Sequence, residues 1–176
     1  MKTDEAIHIV PYDPIWQTKF ETEKELIQKT IGPWISAGIH HVGSTSIPGL
    51  AAKPIIDIMV GVKNLEEAKP CIDLLAQINY QYYPYKPDQM LWFCKPSPEH
   101  RTHHLYLIEP THPEWKARLT FRDYLRIHPK EKSQYQLLKT NLANKFTKDR
   151  ESYGQAKTQF IKNIITKALK SKTTTK

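Results

Sequence analysis

A small polar turn, Gly43-Ser44-Thr45-Ser46, lies upstream of a lone carboxylate, Asp57, inside the apolar run Ile55-Ile56-Asp57-Ile58-Met59-Val60. Each part suits phosphate chemistry. Gly43 lets the backbone approach a ligand closely or take a positive φ. Ser44, Thr45 and Ser46 add hydroxyl donors, and such a turn can aim backbone N–H groups at an anion. Asp57 offers an oxygen ligand for Mg²⁺, which takes one or two carboxylates plus substrate phosphates. The turn would hold a triphosphate and the aspartate the ion that neutralises it. The competing account is local: Ser, Thr and Asp commonly bond nearby backbone groups.

Basic residues elsewhere fit the same chemistry. Lys53 stands four residues before Asp57 and can reach a phosphate as a point charge. Arg118, Arg122 and Arg126 recur every four residues and share one helix face, where guanidiniums grip phosphate or carboxylate bidentately. Glu114 and Asp123 lie close enough in sequence to turn that stripe into ion pairs instead. The pairs Tyr135–Lys139 and Tyr153–Lys157 repeat an i, i+4 spacing that packs a lysine stem along a ring. Trp16, Phe20, Trp115, Phe146 and Phe160 read as core.

The elements that must position these groups follow from periodicity and punctuation. Residues 6–10 predict a short strand. Asp13-Pro14 starts a helix over 14–31, with Trp16, Phe20, Ile27 and Ile31 on its apolar side. Strands are expected at 38–42 and 55–62, then a helix from Asn64 to Gln77. Residues 80–87, rich in Tyr and Pro, show no periodicity. Strands at 91–95 and 104–109 flank the turn-like PSPEHRT. Helices are expected at 113–127, 130–147 and 151–170. This order predicts an α+β domain over 1–127, a basic helical extension over 128–170 packed on it, and a tail over 171–176 that frays.

Composition narrows the class. Mean hydropathy of −0.58 and no apolar run near the ~18 residues of a membrane span predict a soluble protein with no membrane partner. The N-terminus shows no apolar signal region, and Cys71 and Cys94 form no CxxC. A reduced, cytoplasmic protein is expected. Residues 1–127 carry 14 basic against 15 acidic side chains, whereas residues 128–176 carry 12 against 3. A basic C-terminal third can attract phosphates or nucleic acid, or can simply be a solvated helical surface.

The spacing Gly-Ser, twelve residues, then Asp-hydrophobic resembles the nucleotidyltransferase superfamily that includes DNA polymerase β. Over nearly the whole chain the sequence is more closely similar to the GrpB family. That resemblance rests on IVPYDPIW at 9–16, HHVGSTSIPGLAAKPIIDIMVGV at 40–62, RTHHLYL at 101–107, FRDYLRIHP at 121–129 and the two Tyr–Lys pairs. It implies a nucleotidyltransferase-like α+β fold: a mixed β-sheet with flanking helices and a helical C-terminal extension. A GrpB-like domain is also found fused to dephospho-CoA kinase, which hints at nucleotide or coenzyme A metabolism.

One departure bears on activity. The superfamily carries Asp-x-Asp with a third carboxylate on a later strand, but here the second position is Met59 and the later strand offers His103, His104 and Tyr106. Two-ion catalysis needs enough anionic ligands to hold both ions ~4 Å apart. The resemblance makes Asp57, His103 and Tyr106 candidate catalytic groups and Asp57 with His104 candidate ligands for Mg²⁺ or Mn²⁺. The candidate phosphate binders are Gly43, Ser44, Thr45, Ser46, Lys53, Arg101, Arg122 and Arg126. Three classes of function are expected in descending order: metal-dependent transfer from an NTP to an unknown acceptor, a non-catalytic nucleotide- or coenzyme-binding module, and an RNA-binding or protein-interaction domain.

Overall fold

The computed structural model describes residues 6–173. Helix α1 (Ile15–Ile31) begins where Asp13 Oδ1 accepts the Ile15 N–H at 2.9 Å, and it buries Trp16, Phe20, Ile27 and Ile31 as its periodicity requires. Strands β1 (Ile35–Val42) and β2 (Ile56–Val62) pair antiparallel around the polar turn. A short helix α2 (Cys71–Ala76) leads into β3 (Gln81–Tyr83), β4 (Leu91–Pro96) and β5 (Arg101–Ile108). The sheet order is β1-β2-β5-β4-β3. Only β2 and β5 run parallel, in a register that sets Asp57 beside His104 and Met59 beside Tyr106. The chain is therefore an α+β protein built on a five-stranded mixed sheet.

Alternation along the strands gives the sheet two different faces. Ile56, Ile58, Val60, Leu105 and Leu107 pack with Phe20, Ile27 and Leu75 under α1 and α2. Met59, Trp92, Cys94 and Ile108 pack on the other side with Trp115 of helix α3 (Pro113–Ile127). Three more helices follow: α4 (Pro129–Lys145), α5 (Arg150–Ala156) and α6 (Thr158–Thr173). Phe121 and Leu125 of α3 meet Tyr135 of α4 and Ile164 of α6 in a further apolar cluster. Ile47 and Leu50 join the same cluster, which ties the C-terminal helices to α3 and to the loop after the polar turn.

Several expected elements take other shapes. Residues 6–10 form no full strand, only a bridge between Val10 and Ala52. The helix expected from Asn64 starts at Cys71, because Asn64 Oδ1 accepts from the Glu66 and Glu67 N–H groups, closing a turn, and Pro70 restarts the chain. The Tyr-rich stretch supplies β3 as an edge strand. The last expected helix divides at Lys157, and α6 runs to Thr173; residues 174–176 lie outside the described residues. Cys71 and Cys94 are free thiols, both buried. Among the described residues no helix is long and apolar enough to cross a membrane.

Candidate functional site

Between the polar turn, the adjacent ends of β2 and β5, and helices α3 to α6 lies a cavity of about 500 Å³. That is the size of a small-molecule site. Asp57 stands on its wall. The Asp57 Oδ1 accepts from His104 Nδ1 and from the Tyr106 hydroxyl, each at 3.0 Å. An ionised carboxylate only accepts, so Nδ1 carries the proton and His104 Nε2 is left without a hydrogen bond among the described residues. Burial pushes the Asp57 pKa up, but the bond from His104, its charge and the Tyr106 hydroxyl outweigh that and hold it below the ordinary value.

The turn packs directly on this carboxylate. Gly43 has φ +69°, and a Cβ there would stand 2.3 Å from Asp57 Oδ2. Glycine is required both by conformation and by the close approach. Thr45 donates to the Ile55 carbonyl at 3.0 Å and takes a bond from His41 Nε2, also at 3.0 Å. Burial drives the His41 pKa down to about 4, so the ring is neutral and holds Thr45 rather than a ligand. Ser44 lies against the Tyr135 phenol.

The C-terminal helices contribute groups that sequence reasoning assigned to packing. Tyr135, Lys139, Tyr153 and Lys157 all line the cavity. Lys139 is 1% exposed, donates to the Ala51 carbonyl and sits 5.0 Å from the Tyr135 ring centre. Lys157 lies 3.9 Å over the Tyr153 ring, and Lys53 is 5.4 Å from the same ring. Burial, reinforced by the Lys157 charge, brings the Lys139 pKa down to about 7. Burial and the Lys53 charge bring Lys157 down to about 8, against the pull of Asp57. Arg118 also lines the cavity, 4.2 Å from the Tyr106 ring centre, with Nε donating to Glu114 at 3.2 Å. The repeated Tyr–Lys spacing was the available signal; what it could not show is that both pairs converge on one space.

Of the expected site residues, Gly43, Ser44, Thr45, Lys53, Asp57, His104 and Tyr106 line this cavity. The arginine expectation needs correction. Arg122 Nη1 donates to the His41 carbonyl at 3.0 Å, and Arg126 grips the Ser46 carbonyl at 2.8 and 3.1 Å, so both brace the turn from behind. Ser46 turns its hydroxyl back onto the Gly43 carbonyl at 2.6 Å. Strand alternation sends His103 to the opposite sheet face, in the field of Glu23 and Lys95. Arg101 stacks 5.3 Å from the Trp92 ring centre and bonds the Pro98 carbonyl, outside the cavity lining.

The donor set does not fit a pair of Mg²⁺ ions. Among the described residues no cluster of three or more His, Cys, Asp or Glu could hold a metal. One Asp57 oxygen already takes two protein hydrogen bonds, and the other is pressed against Gly43.

The model for the family described as GrpB protein matches residues 6–167. The chain belongs to the GrpB family. It is similar to the crystal structure of conserved protein GrpB from Enterococcus faecalis, with TM-score 0.84 and 32% identity over 93% of this chain and 98% of that one. A UPF0157 protein of Pseudomonas aeruginosa is 35% identical over 94% of this chain and 69% of its own length. The glutamate-rich protein GrpB of Alkalihalophilus pseudofirmus is 34% identical over 89% and 92% respectively. This GrpB-family chain spans only 45% of a Bacillus subtilis relative. It also matches 46% of a dephospho-CoA kinase from Mycolicibacterium paratuberculosis, at 22% identity.

Proposed function

We propose that the cavity binds the phosphate groups of a nucleotide or a nucleotide-containing coenzyme. The observation that carries this is charge: among the described lining residues six cationic side chains face two carboxylates, and one of those, Glu114, already holds Arg118. Lys139 and Lys157 keep lowered pKa values only while no anion accompanies them, so a polyphosphate would relieve an existing cost. Phe121, Ile161 and Ile165 supply an apolar wall for the rest of the molecule. The dephospho-CoA kinase match supports a coenzyme or nucleotide ligand.

A second reading, nucleotidyl transfer within a nucleotidyltransferase-like fold, has one observation in its favour. The turn and Asp57 open on the same cavity, as that superfamily's spacing implies. In either reading a single Mg²⁺ or Mn²⁺ would arrive on the nucleotide and neutralise its phosphates, while Asp57 keeps its bonds to His104 and Tyr106.

The test is thermal stabilisation by ATP, ADP, coenzyme A and dephospho-CoA, with and without Mg²⁺ or Mn²⁺, since a ligand of the native state raises its melting temperature. At least one of these should stabilise the wild-type chain without metal, and Lys53→Met should remove most of that shift. No shift with any of them, or a shift indifferent to Lys53→Met, would overturn the assignment. Pyrophosphate release from an NTP separates transfer from plain binding.

A further inference from the structure

The cavity has too few carboxylates for two-ion transfer, yet it holds a reachable amine. Five lysines line it, and the settings of Lys53, Lys139 and Lys157 differ. Lys139 is sealed and donates to the Ala51 carbonyl. Lys53 sits on the loop before β2, 5.4 Å from the Tyr153 ring centre. Lys157 is half-buried at the break between α5 and α6, and its nitrogen lies 3.9 Å over the face of Tyr153.

We propose that Lys157 is a nucleophile that takes a nucleotidyl group from an NTP bound in the cavity. This rests on the nucleotide-binding reading above. The Lys157 nitrogen lone pair attacks the α-phosphorus, forming an N–P bond. The bond from that phosphorus to the bridging oxygen of the β-phosphate breaks, and pyrophosphate leaves with the electron pair. The nitrogen loses its extra proton to solvent. The product is a lysyl phosphoramidate of the nucleoside monophosphate, ready for transfer to an acceptor. No oxidant or reductant is involved.

Three observations support Lys157 for this role. It lines the same cavity as the turn and Asp57, with its nitrogen over the ring of Tyr153, another lining residue. An ammonium cannot attack, and burial beside Lys53 brings this one down to about 8, so roughly a tenth is free amine at pH 7. Lys53, Lys139 and Arg118 line the same space and would offset the charge that develops on the pyrophosphate. A lysine route also explains how a chain with Met59 in place of the second carboxylate could still handle an NTP.

The experiment incubates the full chain with ATP labelled at the α-phosphorus, or separately at the γ-phosphorus, with and without Mg²⁺. A denaturing gel and peptide mass spectrometry then locate any adduct. The α label should remain on the protein and the γ label should not. The adduct should be acid-labile and alkali-stable, map to Lys157, and be reversed by added pyrophosphate. Lys157→Arg should abolish it, at least a hundredfold. Stabilisation by ATP with no adduct, or an adduct on any other residue, would overturn this inference alone. Absence of ATP stabilisation would also overturn this inference, and the binding reading beneath it falls only if ADP, coenzyme A and dephospho-CoA fail as well.

Discussion

Two clusters of buried charge occupy opposite faces of the same sheet, and they are built differently. Under α1, Glu23 takes Lys95 Nζ at 2.8 Å on one oxygen and the Tyr80 hydroxyl at 2.9 Å on the other. One acid meets one base, and the acid's two oxygens each have a donor. On the cavity face Asp57 meets a surplus of lysines and Arg118. The first cluster is closed, so its geometry serves the fold. The second is open, and an anion would complete it. The contrast teaches that burial alone does not mark a ligand site; uncompensated charge facing a cavity does.

Breaking the closed cluster should give the largest effect. Lys95→Met strands a carboxylate that is only 10% exposed, so stability should fall by about 3 kcal/mol in urea unfolding. Glu23→Leu combined with Lys95→Met should recover part of that loss, because no unpaired charge remains, although the Tyr80 hydroxyl loses its acceptor. Nucleotide-induced thermal stabilisation should survive in both. A harmless Lys95→Met would mean the two clusters do not differ as argued.

The contrast between the faces also explains what the sequence could and could not reveal. The α1 face was readable because Trp16, Phe20, Ile27 and Ile31 repeat at helical spacing and Ile56, Ile58 and Val60 alternate. The turn and Asp57 were readable because they stand fourteen or fewer residues apart around one hairpin. The other wall of the cavity comes from helices that begin more than fifty positions after Asp57. Tyr135–Lys139 and Tyr153–Lys157 showed a local spacing, and local spacing says nothing about which distant surface it meets. The FRDYLR arginines failed for a related reason. Their shared helix face was correct, but which partner lay opposite, a phosphate or the His41 and Ser46 carbonyls, was a tertiary fact.

The second prediction concerns the open cluster and has the opposite sign at low pH. The Lys139 pKa lies near 7 when folded and near 10.5 when unfolded. Between those values the unfolded chain binds the extra proton, so stability should rise as pH increases from 7 toward 10. Below about pH 7 the buried ammonium is charged in both states and its full cost is present. Lys139→Met removes that cost and also the bond to the Ala51 carbonyl. At pH 6 the variant should be about 2 kcal/mol more stable than wild type, and the gap should close toward pH 10. It should also lose most of the nucleotide-induced shift. Parallel stability curves for the two chains across pH 6–10 would show that Lys139 belongs with the closed cluster.

The smallest effects should separate two arginines on one helix. Arg126 gives two hydrogen bonds to the Ser46 carbonyl and is 36% exposed, so solvent screens its charge but not the loss of a bonded carbonyl. Arg126→Gln should lower stability by about 1 kcal/mol and leave the ATP-induced shift nearly unchanged. Arg118 makes an i, i+4 pair with a Glu114 side chain that is 43% exposed, an interaction worth about 0.5 kcal/mol. Arg118→Gln should therefore barely move the melting temperature of the free protein. Its guanidinium lines the cavity over Tyr106, so the same change should cut ATP affinity severalfold by calorimetry. The two variants thus exchange readouts, one felt in stability and the other in binding. If Arg126→Gln weakens ATP binding while Arg118→Gln does not, the turn is gripped by ligand through its outer side, and the anion site lies behind Ser46 rather than in the cavity.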